Sequence, residues 1–284
     1  MPEATMKIRN LREEEMPRII DMAASEGWNP GLHDAAAFFQ VDPDGFFVGE
    51  INGVPVAYIS AVRYNGRYGF VGLYIVDKAY RGQGYGLQLW NHALAQLGQL
   101  TCGLDGVPAQ LENYEKSGFV YAFRQMRLAT PATAVSRDHY PLVECLTAQH
   151  AGPIAESDTE VFGTPRQAFI DAWMGMANAQ SFGVSDQGNI VGYAVVRACV
   201  EGYKIGPLFA DNKAIAEQLF LACHGAVPPG SMVYIDMPET NVSTPDWIAR
   251  YNLKLVFETA RMHKNGTPAF PLSKVFGVTS FELG

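Results

Sequence analysis

The period of the hydrophobic pattern changes repeatedly along the first 130 residues, and each change predicts an element. "MKIRNLR" (6–12) reads as a strand. "EEEMPRIIDMAASEG" (13–27) reads as a helix whose acidic start suits the positive end of the helix dipole. "WNPGLHD" (28–34) is a turn-rich loop, and "AAAFFQ" (35–40) a short helix. Residues 44–76 predict three strands, joined at Asn52-Gly53 and Asn65-Gly66, both hairpin signals. "GYGLQLWNHALAQLG" (84–98) spaces Leu87, Trp90, Leu94 and Leu97 as one helical stripe. A strand over 99–106, a short helix over 108–118 and closing strands over 119–129 complete the unit. "TPATAVSRDHYP" (130–141), with two prolines and small polar residues, reads as a linker.

The second half repeats the first. "DQGNIVGYAVVRA" is similar to "INGVPVAYISAVR", matching Gly53 and Tyr58 to Gly188 and Tyr193. "IGPLFADNKAIAEQLF" follows "VGLYIVDKAYRGQGYGLQLW", matching Gly72 to Gly206. "FETARM" follows "AFRQM", matching Met126 to Met262. Three near-equal offsets point to two copies of one fold. The copies differ between strand and helix, where the second copy lacks the glycines of "YRGQGYG" (80–86).

That stretch carries candidate chemistry. A helix N-terminus has unpaired N–H groups and a partial positive charge, which together suit an anion. Gly82, Gly84 and Gly86 clear the approach to those groups, and Arg81 adds a cation. The spacing is neither that of a dinucleotide fold nor that of a P-loop.

Arg81-Gly82-Gln83-Gly84-Tyr85-Gly86 resembles the Arg/Gln-x-x-Gly-x-Gly/Ala signature of the GCN5-related N-acetyltransferase (GNAT) family. "NYEKSGF" (113–119) resembles that family's later motif, and the resemblance covers roughly residues 6–128. It implies an α/β (α+β) fold of two GNAT-like domains, each with a mixed, mostly antiparallel sheet flanked by helices. Residues 1–130 would be the acetyl-CoA-binding domain. Residues 131–284 would be a degenerate copy that helps to form the acceptor pocket. The family's pyrophosphate site falls on the amides of Gly82 to Leu87, and its pantetheine-pairing strand on Tyr74, Ile75 and Val76.

The reaction expected is direct transfer of an acetyl group from acetyl-CoA to a small-molecule amine. Val76 N–H is the candidate for stabilising the thioester oxygen, and Tyr114 the general acid for the leaving thiol. Where the family often has asparagine and alanine before that tyrosine, this chain has Val107 and Gln110, with Asn113 nearby. No base stands out: Glu50 is a candidate on a strand, and His92 reads as a surface or core-edge residue. Trp28, Asn29, His33 and Asp34 occupy the family's acceptor segment, and Asp236, Glu239 and Asn241 follow a predicted strand of the second copy. The alternative is a non-catalytic acyl-CoA-binding or partner-binding module.

Bulk properties narrow the partners. The 284 residues carry a net charge of −8 with no basic stripe, which argues against nucleic acid. No run approaches the ~18 apolar residues of a membrane span, and the first residues lack a signal-type apolar core. Cys102, Cys145, Cys199 and Cys223 have no metal-type spacing, so no metal is expected. Cys199 and Cys223 read as inert core thiols in a reducing cytoplasm. The acceptor's identity and the oligomeric state stay open.

Overall fold

The computed structural model describes residues 5–284. Strand β1 (Lys7–Asn10) leads into α1 (Met16–Ser25), and α2 (Asp34–Phe39) follows the Trp28 loop. Strands β2 (Phe46–Ile51), β3 (Val54–Tyr64) and β4 (Tyr68–Val76) form the expected meander. Asn52, Gly53, Asn65 and Gly66 at its turns all have positive φ, as type I′ hairpins require. Helix α3 (Tyr85–Leu97), strand β5 (Cys102–Gly106), helix α4 (Leu111–Lys116) and strand β6 (Val120–Pro131) follow. The second half runs β7 (Glu144–Leu146), α5 (Ala151–Phe162), α6 (Gln167–Met174), β8 (Ala179–Asp186), β9 (Asn189–Ala198) and β10 (Tyr203–Ala210). It ends with α7 (Lys213–Gly225), β11 (Met232–Pro238), α8 (Thr244–Arg250), β12 (Lys254–Lys264) and β13 (Val275–Gly277).

Two local expectations shift. Residues 120–131 make one long strand, so the start of the expected linker is strand, and Ala132 N–H still donates to Ser231 O. On α3 the buried face is Leu89, Trp90, Ala93 and Leu97, while Leu87 is 61% exposed. The first turn of that helix overhangs an opening in the sheet, so Leu87 has no core beneath it.

The halves share one sheet in the order β1-β2-β3-β4-β5-β12-β6-β11-β10-β9-β8-β7, with β13 added on β10. Each half's last long strand lies inside the other half's territory: β12 pairs with β5, and β6 with β11. Pairing is antiparallel except at β4–β5 and β10–β11. This register refines the repeat. Arg127 stands opposite Asp236 and Arg261 opposite Asp105. Arg127 and Arg261 are therefore the equivalent residues, and the match of Met126 to Met262 lies two places off.

Both pairs are buried and bidentate, with nitrogen–oxygen distances of 2.7 Å. They tie the exchanged strands to their hosts. Their electrostatics differ. Burial alone would raise both carboxyls, but Arg127, Lys204 and Arg197 together hold Asp236 below its ordinary range. Asp105 is pushed up by burial against the pull of Arg261, with Asp236 and Glu282 adding to the rise.

One hydrophobic core combines α1 and α2 with α5 and α6, joining Ile19 and Phe38 to Ile154 and Trp173. Phe38 stacks on Trp173 at 6.1 Å. The segment 275–284 is buried throughout and threads through this region. Tyr64 OH donates to Leu283 O at 2.7 Å. The repeat-equivalent Gly72 and Gly206 lie under it: a Cβ would come within 1.9 Å of Glu282 O at the first and 2.6 Å of Thr279 O at the second.

Asp236→Ala, which strands the Arg127 guanidinium in the interior, is expected to lower unfolding free energy by about 3–5 kcal/mol. Arg127→Met with Asp236→Leu should recover most of that loss. Urea denaturation of the three proteins checks both outcomes, and equal losses in the single and double variants would contradict this account.

Candidate active site

Strands β4 and β5 run side by side only as far as Val71 and Leu104. Against β3, Ile75 faces Tyr58 but Gly72 faces Ser60, so β4 carries one extra residue between them. Leu73, within that bulge, has φ +48°. A bulge bends its strand, and β4 leaves β5. The opening leads to a cavity of about 480 Å³ bordered by Tyr74, Ile75 and Val76 on one side and Leu104 and Gly106 on the other.

The glycine loop forms one rim. Gly82 and Gly84 have φ +76° and +83°, and no heavy atom lies within 4 Å of the position a Cβ would take at either. The first bond of α3 runs from Gln88 N–H to Gly84 O, so the amides of Gly86 and Leu87 precede the helical ladder. Gly86 and Leu87 border the cavity. Arg81 is folded back, its Nε–H on Val76 O at 2.8 Å and its Nη2 on Glu26 at 2.7 Å. Gln83 Nε2 donates to Ala79 O, and the Tyr85 ring lies against Tyr80, so neither side chain faces the cavity.

Tyr114 on α4 lines the same cavity. Its ring packs 5.4 Å from Trp90, which is itself 5.4 Å from Tyr74. Ser117 Oγ holds the Trp90 indole N–H at 2.9 Å. Gly106 makes room for Tyr114, since a Cβ there would lie 2.2 Å from Tyr114 Cε2. Burial, then the neighbouring Tyr74, pushes the Tyr114 hydroxyl up to about 12, so it keeps its proton at neutral pH. Val107 and Gln110 border the cavity, and Asn113 Nδ2 is turned to Gln110 Oε1 at 2.7 Å.

Of the acceptor residues expected from sequence, Trp28 lies in the cavity wall, its carbonyl held by Arg127 Nη1. The others lie outside that wall. Asn29 bridges to Glu201 in the second half, accepting its N–H at 2.8 Å. His33 meets Asn178, and Asp34 is a buried partner of Arg197 and of Gly31 N–H. Asp236 is spent on Arg127, and Glu239 on Tyr121 and Arg124. Asn241 holds Val275 O and Ser243 N–H. Glu50 is ion-paired with Arg9 at 2.6 Å, and His92 edges onto Phe47; neither reaches the cavity.

Sequence reasoning missed the residues that complete the wall. Phe257 and Thr259 come from β12, and Phe281 and Glu282 from the buried C-terminal segment. They reach the first half's cavity because β12 pairs with β5. Arg127 and Arg261 recur in the two copies, but the aspartate opposite each is set by a strand pairing that the sequence alone does not show.

The second half keeps only a remnant of this opening, a cavity of about 30 Å³ bordered by Phe209, Phe123 and Gln125. Strands β10 and β11 also part, after Ile205 and Ile235, but β13 pairs with Leu208 and Phe209. Those residues correspond to Tyr74 and Ile75 of β4. The N-terminus of α7 is closed by Asn212, whose side chain accepts Ile215 N–H at 3.0 Å.

All four cysteines are free; burial raises Cys102 to about 11 and pushes Cys199 and Cys223 up as well. Among the described residues no group of three or more His, Cys, Asp or Glu could hold a metal ion, and no helix is long and apolar enough to cross a membrane.

Comparison with known proteins agrees with this geometry. Residues 6–119 match the acetyltransferase (GNAT) family model, and residues 154–277 an acetyltransferase (GNAT) domain model. The chain is 32% identical to the holothin acyltransferase of Pseudoalteromonas sp. (strain SANK 73390), covering 95% of this chain and 92% of that one. A protein of Pyrococcus horikoshii assigned to the acetyltransferases superposes with a TM-score of 0.81 at 22% identity, over 98% of this chain and 96% of that one. A tandem GNAT protein from the clavulanic acid biosynthesis pathway superposes at 0.62 with 15% identity, over 93% and 100%.

Gly106→Ala should push the Tyr114 ring off its seat and destabilise the fold by about 1–3 kcal/mol, as overpacking does. Thermal and urea unfolding measure it, and a variant as stable as the parent would mean that the ring moves freely.

Proposed function

The chain belongs to the GNAT family, is a tandem-domain acyltransferase, and we propose that it moves an acetyl group from acetyl-CoA to the amine of a small molecule in the cavity of its first half. One observation carries this reading. An open glycine cradle at a helix N-terminus, a strand edge released by a bulge, and a protonated tyrosine all border one cavity.

The residues fit the cosubstrate. Gly82 and Gly84 leave the space a diphosphate needs beside the amides of Gly86 and Leu87. The edge of β4 at Tyr74 and Val76 is turned from β5 and would pair with pantetheine amides as an added strand does, once Arg81 gives up Val76 O. Arg81 would exchange its contact with Glu26 for phosphate. Val76 N–H is the proposed donor to the thioester oxygen. Tyr114 is the proposed acid, its hydroxyl protonated throughout the neutral range. No covalent intermediate on the protein is needed, since positioning supplies much of the rate.

Holothin, the substrate in the name of the Pseudoalteromonas relative, belongs in the acceptor panel. Thiol release from acetyl-CoA with that panel tests the transfer. Calorimetry tests the cosubstrate site, with one acetyl-CoA expected per chain because β13 occupies the second half's strand edge. Two per chain would contradict that closure, and none would end the reading.

Tyr114→Phe should lower kcat by about 10²-fold or more while leaving acetyl-CoA affinity unchanged. The Tyr114 hydroxyl is lost only as pH rises through its folded value of about 12. The wild-type pH–rate profile should therefore show no fall from this group below about pH 10, the ordinary tyrosine range. A phenylalanine variant with parental kcat would remove Tyr114 from the reaction.

A further inference from the structure

The cavity has an end that the acyl-CoA residues leave unexplained. Its walls are Trp28, Phe257 and Phe281, and its polar groups are Thr259 and Glu282. Of the other two carboxylates at its border, Glu26 is engaged by Arg81 and Asp105 is held by both forks of Arg261. Glu282 accepts no hydrogen bond and forms no ion pair among the described residues, yet it is only 4% exposed. The Thr259 hydroxyl is likewise buried, at 3% exposure, with no hydrogen-bond partner among the described residues. An unpaired carboxylate and an unpaired hydroxyl are both costly to bury. Both residues border the same cavity.

We infer that Glu282 and Thr259 receive the acceptor's ammonium group, and that the acceptor is a primary amine borne on a flat apolar body seated among Trp28, Phe257 and Phe281. This rests on the transferase reading for its chemistry, though not for its binding. The cations within electrostatic reach of Glu282 are committed elsewhere. Arg127 is paired with Asp236, Arg197 with Asp34, and Lys204 Nζ donates to Asn29 O at 2.7 Å. An incoming ammonium would supply the contact that these groups do not make.

In the reaction, Glu282 takes one proton from the ammonium and so frees the nitrogen lone pair. The C–N bond forms at the thioester carbonyl carbon and the C–S bond breaks. Sulfur leaves with the electron pair and receives the Tyr114 proton. The second nitrogen proton restores Tyr114, and the proton on Glu282 passes to solvent. Ammonium and thioester become amide, thiol and one free proton.

Binding of 2-phenylethylamine and of its neutral isostere 2-phenylethanol to the CoA-saturated full-length protein, followed by calorimetry, tests the inference. The amine should bind at least tenfold more tightly than the alcohol. Glu282→Gln should abolish that gap and leave alcohol affinity within twofold, and Glu282→Asp should restore part of it. Thr259→Val should weaken the amine severalfold. CoA affinity and thermal unfolding confirm that each variant is folded, and the wild-type comparison of amine with alcohol needs no variant. An amine bound no better than the alcohol, or a gap that survives Glu282→Gln, overturns the inference. If Glu282 merely balances the charge of Lys204, the glutamine variant loses stability and keeps the gap, which also overturns it. If CoA fails to bind, the transferase reading falls, while the same comparison on the ligand-free protein still decides the role of Glu282.

Discussion

An extra residue in β4, accommodated with Leu73 at φ +48°, turns that strand away from β5 once Val71 and Leu104 have paired. The rest of the site depends on this divergence. Without it, β4 and β5 would continue to exchange backbone hydrogen bonds, and neither a free strand edge nor a 480 Å³ cavity would exist. With it, the β4 edge at Tyr74 and Val76 is turned from β5 toward that space, with Val76 O held by Arg81. A left-handed non-glycine residue at the hinge is unfavourable, and the surrounding sheet holds it: β3 pairs on both sides of the bulge.

The exchange of β6 and β12 gives that cavity its second wall. Each half supplies an aspartate on its fifth strand and borrows an arginine from the other half. The two buried pairs are nearly superimposable in chemistry, but they stand in different fields. Asp236 lies among Arg127, Lys204 and Arg197, whereas Asp105 lies nearer to Asp236 and Glu282. Glu282 in turn lies in the field of Arg127, Arg197 and Lys204, so the two pairs and the cavity share one charge network.

Much of the first half was legible in the sequence because its signals are local. Asn52-Gly53 and Asn65-Gly66 dictate their turns through positive φ, and the nearly continuous apolar run between them suits a strand buried on both faces. The glycine stretch announced an open helix N-terminus, and Gly82 and Gly84 do adopt left-handed backbone. The cavity wall that β12 and the segment 275–284 supply was not legible, because what places it is long-range. Asp34, Asp236 and Asn241 have the chemistry of ligand contacts, but each is consumed by a partner remote in sequence or by the backbone. Only the pairing of β12 with β5 brings Thr259 and Phe257 to the cavity, and no property of "FETARM" itself signals that neighbour. The misaligned Met126 and Met262 had the same cause. Similarity by residue type drifted two places from the register that the Arg–Asp pairs enforce.

The last ten residues explain why two copies of one fold carry one open cleft. In the second half, β13 takes the strand edge of Leu208 and Phe209, whose first-half counterparts lie beyond the last pairing of β4 with β5. The same segment then crosses Gly206 and Gly72, positions where any side chain would collide with its carbonyls, and delivers Phe281 and Glu282 to the first cavity. A peptide that fills one cleft is thereby positioned, within seven residues, to line the other. Burial of Val278, Phe281 and Leu283 in the shared core anchors it, which lets an unpaired carboxylate be held at a fixed place in the wall instead of on a mobile tail. On this arrangement, the closed strand edge of the second half and the extra wall of the first half's cavity come from one segment, 275–284, docked across both halves.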